Sequence, residues 1–167
     1  MSKATPITWS EVRVHFRKCQ AQNLQQAIAT VDELGLPQIT PIGTVFLNDD
    51  QTGFYFEMYT KTLPDCAETT KRMAILGVNT SKWYWFKALF KGVFYGPPAI
   101  KLYGQLGQRR RANETELKRL DRRLSFAKRM KGYDLLWKNM AVIREFSIDV
   151  YKMIEFGPAM PVRLSSV

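Results

Sequence analysis

Residues 40–57 read TPIGTVFLNDDQTGFYFE, and the fold turns on how this stretch is divided. Apolar residues run up to Leu47, the polar cluster NDDQTG interrupts them, and an aromatic run, FYFEMY, begins at Phe54. This pattern predicts two strands, residues 36–48 and 54–59, joined by a tight polar loop. Pro41 and Gly43 are unusual inside the first of them. Proline withdraws a backbone donor and glycine weakens a strand interior. Two readings follow: the pair kinks a strand where a barrel bends, or the bare backbone at Gly43 lets amides approach a flat ligand closely.

Working outward, residues 8–21 carry Trp9, Val12, Phe16 and Cys19 at helical spacing, with Thr8 or Ser10 as the cap. A short strand over residues 27–31 and the turn DELG lead into the quoted hairpin. Pro64 and Asp65 open a short helix. RMAILGVN is apolar on both faces, as a buried central strand would be. PPAIKLYGQLG alternates as a strand after the rigid Pro97–Pro98. In NETELKRLDRRLSFAKRMKG, Asn113 and Glu116 form a capping box, and Leu117, Leu120, Leu124, Ala127 and Met130 make one apolar stripe. Gly132 ends that helix, Tyr133 to Met140 add a helical turn, and VIREFSIDVYKMIEFG is a long last strand. The order predicts a mainly β protein with peripheral helices, a small antiparallel barrel in preference to a doubly wound sheet. Gly-rich phosphate loops are absent from the sequence.

The 167 residues suit a single domain, 1–167, able to bury a core without disulfides. No apolar run reaches the roughly 18 residues of a membrane span. MSKATPITW lacks an apolar signal core, so a cytoplasmic location is expected. Cys19 and Cys66 are far apart and read as reduced, buried thiols. The lone histidine, His15, reads as a half-exposed helical residue. With so few nitrogen and sulfur ligands, no metal site is expected.

Two further segments carry unusual chemistry. The net charge is +10, and residues 101–131 hold eleven Lys and Arg (Lys101, Arg109, Arg110, Arg111, Lys118, Arg119, Arg122, Arg123, Lys128, Arg129, Lys131) against Glu114, Glu116 and Asp121. The plain reading is a solvated helix flank, with Glu116–Arg119 or Lys118–Asp121 pairs; the sharper one is an anion-facing surface. In residues 82–96, seven aromatics (Trp83, Tyr84, Trp85, Phe86, Phe90, Phe94, Tyr95) alternate with Lys82, Lys87 and Lys91. Core or dimer packing, a wall over a flat ligand, and an interfacial membrane helix all fit this composition.

AIATVDELGLPQITPIGTVFL followed by GFYFE, the strand end VNTSKW, and KLYGQLGQRR leading into a helix together resemble the pyridoxamine 5'-phosphate oxidase-like family of FMN-binding split barrels. The resemblance covers about residues 23–156, with the helix of residues 8–21 preceding it. It implies a six-stranded antiparallel Greek-key barrel and a homodimer with FMN in the cleft between subunits. It implies that Thr40, Pro41, Ile42, Gly43 and Thr44 face the flavin ring. Tyr59, Thr60, Lys61 and Thr62 fall where the family commonly carries a Ser-Arg-Lys phosphate grip, here reduced to one cation. Lys82 and Trp83 in TSKW, and Lys101, would approach from neighbouring strand ends, and a lysine there would favour the reduced, anionic flavin. Relatives of this barrel also hold haem or a deazaflavin. GPAMPVRLSSV does not reproduce the Arg-rich ending of the oxidase itself. The expected function is therefore a flavin-dependent oxidoreductase whose small-molecule substrate is not written in the sequence. A non-enzymatic flavin or haem carrier is the first rival, and a nucleic-acid binder using residues 101–131 the second.

Overall fold

The computed structural model describes residues 7–58, 62–94 and 96–155. In chain order the elements are α1 (Trp9–Gln22), β1 (Gln26–Val31), β2 (Pro37–Ile42), β3 (Val45–Leu47), β4 (Thr52–Phe56), α2 (Thr62–Glu68), β5 (Arg72–Val78), α3 (Lys82–Lys91), β6 (Ala99–Arg111), α4 (Glu114–Arg123), a 3-10 turn (Ser125–Ala127), α5 (Gly132–Leu136) and β7 (Val142–Ile154). The strands form one antiparallel sheet in the order β2-β1-β5-β6-β7-β4-β3.

The expected strand over residues 36–48 divides at Gly43–Thr44, which is why seven strands stand where six were expected. Its first half, β2, pairs with β1 at one edge of the sheet; its second half, β3, pairs with β4 at the other. Two edges far apart in the sheet order are thus joined by two residues, so the sheet must curl on itself. Thr44 is buried, and its hydroxyl lies 3.4 Å from the Phe56 carbonyl and 3.3 Å from the Phe56 N–H, tying the bend to β4. A Cβ on Gly43 would stand 3.0 Å from the Leu24 carbonyl oxygen, closer than side chains normally approach. The curled sheet with its outer helices is a split barrel.

The main core fills the barrel: Val12 and Phe16 of α1, Ile28, Val45, Tyr55, Leu63, Ile75, Ile100, Leu102, Phe146 and Ile148. Thr8 is the cap that starts α1, in a capping box with Glu11. A smaller cluster outside the barrel packs Leu120 of α4 and Leu124, which caps its end, on Phe54, Phe56 and Ile143. Gly104 on β6 lets β7 come close, since a Cβ there would fall 1.8 Å from the Ser147 carbonyl oxygen. The ladder shifts register beside it, between Tyr103 and Gly104.

Three elements differ from the sequence reading. The aromatic strand ends at Phe56 instead of Tyr59. The helix after Asn113, with the expected capping box, stops at Arg123 and tightens into the 3-10 turn, and Gly132 opens α5 instead of ending a helix. This break leaves Leu117 and Met130 exposed while Leu120, Leu124 and Ala127 are buried. The arginines of the basic segment divide: Arg111, Arg122 and Arg129 are exposed, as on a solvated flank, whereas Arg110, Arg119 and Arg123 are drawn into the fold. Arg110 bonds both Glu116 (2.9 and 2.7 Å) and Glu145 (2.6 Å), and Lys128, not Lys118, pairs with Asp121.

A charged network reaches from the surface to a buried pair, Glu57 and Arg144. The Glu57 carboxylate accepts from Arg144 Nε (2.8 Å) and Arg109 Nε (2.7 Å), and the Tyr55 hydroxyl donates to it at 3.3 Å. Arg144 also reaches the Gly107 carbonyl. Glu57 and Arg144 are both buried; without Arg144 the carboxylate keeps only the Tyr55 hydroxyl and the largely exposed Arg109, and is left under-compensated in a weakly polar medium. We expect Arg144→Met to lower unfolding free energy by about 3–5 kcal/mol. Arg109→Met should cost roughly 1 kcal/mol, since the Arg109 side chain is 56% exposed. Urea denaturation of the two variants checks the difference; equal losses would mean that the pair is not sealed from water.

Candidate functional site

The sheet has one face in the barrel and one face outward, and the outward face is apolar in its middle, with Lys101 and Lys152 to one side and Gln105, Ser147 and the Arg72–Asp149 pair toward one end. Strand register aligns two neighbouring rows across β2, β1, β5, β6 and β7. One is Ile39, Ala29, Ala74, Tyr103, Val150; the other is Pro41, Ala27, Leu76, Lys101, Lys152. Each row spans roughly 19 Å at the usual strand spacing. Alanines on β1 and β5 form a shallow floor between larger residues, Pro41 and Ile39 on one side, Tyr103 and Lys101 on the other. Ile39 is 71% exposed. The apolar outward residues of RMAILGVN, Ala74, Leu76 and Val78, are half-buried here and cover nothing in the barrel.

Lys101 and Lys152 stand directly opposite each other on β6 and β7, and both are exposed. Like charges in a cross-strand pair repel, so the pair is a poor choice unless an anion answers it. Lys101 was legible in the sequence. Lys152 was not singled out, although it falls at an outward position of the last strand between Val150 and Ile154.

The structure distributes the expected site residues as follows. Thr40, Pro41 and Ile42 close β2, with Pro41 outward and Ile42 in the core. Gly43 and Thr44 form the bend. The Ile42 side chain and the Thr44 hydroxyl are committed internally, and the Gly43 carbonyl accepts from Arg123. Pro41 and Lys101 share a row, about 14 Å apart across three strand spacings. Lys82 and Trp83 open α3, exposed, beyond the end of β5 and at the same end of the sheet as the start of β6. Tyr59, Thr60 and Lys61 lie outside the described residues, as does GPAMPVRLSSV. Thr62 is the first residue of α2.

The other side of the bend carries a feature the sequence reading did not assemble. Arg123 of α4 donates to the carbonyls of Gly43 (3.4 Å), Gln20 (3.0 Å), Asn23 (3.5 Å) and Leu24 (3.4 Å). Arg119 donates to Asn48 Oδ1 (2.7 Å) and the Leu47 carbonyl (2.8 Å), and lies over the rings of Phe46 and Phe54. With Arg13, Arg17 and Arg122 they line a groove of about 600 Å³ between α1 and α4. The acid in its lining is Asp49, paired with Arg13. Burial pulls both Arg119 and Arg123 below the usual guanidinium range, and Arg13 across the groove adds to the effect at Arg119. The arginines sit on two helices far apart in the chain, so spacing alone could not gather them.

His15 is half-buried on α1, its Nε2 3.7 Å from Cys19 Sγ. Among the described residues no cluster of three or more His, Cys, Asp or Glu could hold a metal ion.

The fold is the split barrel found in FMN-binding and pyridoxamine 5'-phosphate oxidase-like proteins. Solved structures similar to this chain include an FMN-binding protein from Syntrophomonas wolfei (15% identity, 88% of this chain and 92% of that one, TM-score 0.59). A proposed pyridoxamine 5'-phosphate oxidase from Lactobacillus delbrueckii matches at 16% identity over 88% and 93% (TM-score 0.50). The haem-storage protein HutZ of Vibrio cholerae matches at 10% over 84% and 92% (TM-score 0.53). No family model matches the sequence, and no curated protein does.

Burial first, and Lys18 second, lower the affinity of His15 for a proton. The folded value therefore lies below the unfolded one, near 6.5, and the unfolded chain takes up the proton first. Stability contributed by neutral His15 is whole above about pH 6.5 and is lost as pH falls below it. Urea midpoints at about pH 7.5 and about pH 5.5 should differ more in the wild type than in His15→Gln. Parallel pH dependence in the two proteins would contradict the burial of this ring.

Proposed function

We propose that the protein is a homodimer that binds FMN against the outward sheet face, and that it is a flavin-dependent oxidoreductase. The observation that carries this reading is the alanine-floored, two-row face ending in the Lys101–Lys152 pair. A flat ring system gains from lying on small apolar side chains, and a phosphate answers two opposed ammonium groups.

A second copy is the natural cover for the rest of the face. Ile39, Pro41, Leu76, Tyr103 and Val150 form a wider apolar surface than one cofactor would hide, and exposed apolar patches of this kind mark interaction sites. A twofold axis would set this face against itself, giving two equivalent sites between the subunits.

FMN, when bound, supplies the redox chemistry. This chain's residues would seat the ring, hold the phosphate through Lys101 and Lys152, and exclude water with the partner's sheet. The arginine groove on the far side of the bend favours an anionic substrate, because its field is positive and its carboxylate complement is small.

The absorption spectrum of purified protein and titration with FMN test the reading. Flavin bands and saturable binding are expected. Replacing Lys101 and Lys152 together by Gln should weaken FMN binding by roughly tenfold to a hundredfold, while slightly stabilising the free protein by removing their repulsion. A Soret band in place of flavin absorbance, or equal FMN affinity in the wild type and the double variant, would overturn it.

A further inference from the structure

Helix α3 has two apolar faces, and the protein uses one. The inner face is fixed to the body: Ala88 is buried, the Tyr84 hydroxyl donates to the Gly96 carbonyl (2.6 Å), and Trp85 Nε1 donates to the Asn79 carbonyl (2.8 Å). Ser81 caps the start, and Gly92, in the left-handed region, closes the end. The helix is therefore held in one orientation.

Its outer face displays Trp83 (71% exposed), Phe86 (61%), Leu89 (72%) and Phe90 (84%). The rings of Trp83 and Phe86 stack at 5.9 Å, and those of Phe86 and Phe90 at 6.2 Å, making one ridge along the helix. Among the described residues, none buries this ridge. Four large apolar side chains in contact with water on one rigid helix call for an occupant.

Charge decides which. Lys82, Lys87 and Lys91 lie on the same helix and are exposed, and the chain carries no Asp or Glu between Glu68 and Glu114. A second copy docking through this face across a twofold axis would bring these lysines against their own copies. An anionic lipid surface does the reverse: it draws the lysines to its headgroups and takes the Trp and Phe rings into the boundary with the acyl chains. Among the described residues no helix is long and apolar enough to cross a membrane, and α3, at ten residues, has the dimensions of a helix lying in the interface. We propose that α3 is a membrane-surface anchor, with the ridge of Trp83, Phe86, Leu89 and Phe90 seated in an anionic bilayer leaflet.

Co-sedimentation of the full chain with vesicles tests this. Vesicles of equal parts phosphatidylglycerol and phosphatidylcholine should pellet the protein, and phosphatidylcholine alone should bind it at least about tenfold more weakly. Phe86→Ser with Phe90→Ser should reduce binding to the anionic vesicles by about tenfold or more, with the thermal midpoint and FMN titration unchanged. Phe90→Ser alone, at the most exposed ring, should give roughly a threefold loss and serves if the double variant folds poorly. Failure to bind anionic vesicles overturns the proposal. So does binding that the variants retain, which would move the contact to the basic residues elsewhere. A change in the sedimentation coefficient of lipid-free protein on Phe86 and Phe90 substitution would also overturn it, by assigning the ridge to an interface between copies.

Discussion

The closure at Gly43–Thr44 is the constraint on which the remaining architecture depends. One stretch of chain serves both edges of the sheet, pairing with β1 through residue 42 and with β4 from residue 45. Curling the sheet brings its two edge strands, β2 and β3, together at the bend, and it forces the inward side chains toward a shared axis. The bend itself needs little side-chain chemistry. It needs a residue small enough to pass the Leu24 carbonyl and a hydroxyl that can replace the ladder bonds lost at the kink; Gly43 and Thr44 meet those needs. Arg123 then secures the bend from outside through carbonyls of α1, of the segment leading to β1, and of Gly43.

Much of this was legible from local pattern. The hairpin around NDDQTG, the Asn113–Glu116 capping box, the Thr8 cap, the alternation of KLYGQLG and the mainly β class all follow from short-range rules. What was not legible depends on distant partners. The division of residues 36–48 into two strands cannot be seen in their own composition, because it is set by which strands lie on either side. The end of α4 at Arg123 is likewise decided elsewhere: the apolar stripe continues to Met130, but the Phe54–Phe56–Ile143 surface beneath it does not extend so far.

The basic segment teaches the same lesson in electrostatics. Counting charge over residues 101–131 identifies an excess but not its use. Arg110 and Arg109 neutralise carboxylates from three separate elements, and Arg119 and Arg123 brace backbone carbonyls. A guanidinium held by carbonyls keeps its full positive charge. The positive field of the α1–α4 groove therefore follows from how the fold is braced, and the groove stands against the bend for the same reason.

Two elements, β5 and α3, are apolar on faces that the barrel leaves uncovered, and their differences argue for different neighbours. The outward face of β5 lies in a broad field of small side chains, whose width suits another sheet or a flat ring and which carries charge at Lys101 and Lys152 and at the Arg72–Asp149 pair. The outward face of α3 is a narrow convex ridge of large rings flanked by lysines. A convex cationic ridge has no complement in the flat, partly cationic sheet face, so the two surfaces do not satisfy each other between copies. The sheet face can pair with itself about a twofold axis, whereas α3 opposed to its own copy would concentrate like charge. Shape and charge thus separate the two surfaces: on the proposed reading, one serves the assembly and its cofactor and the other an anionic boundary.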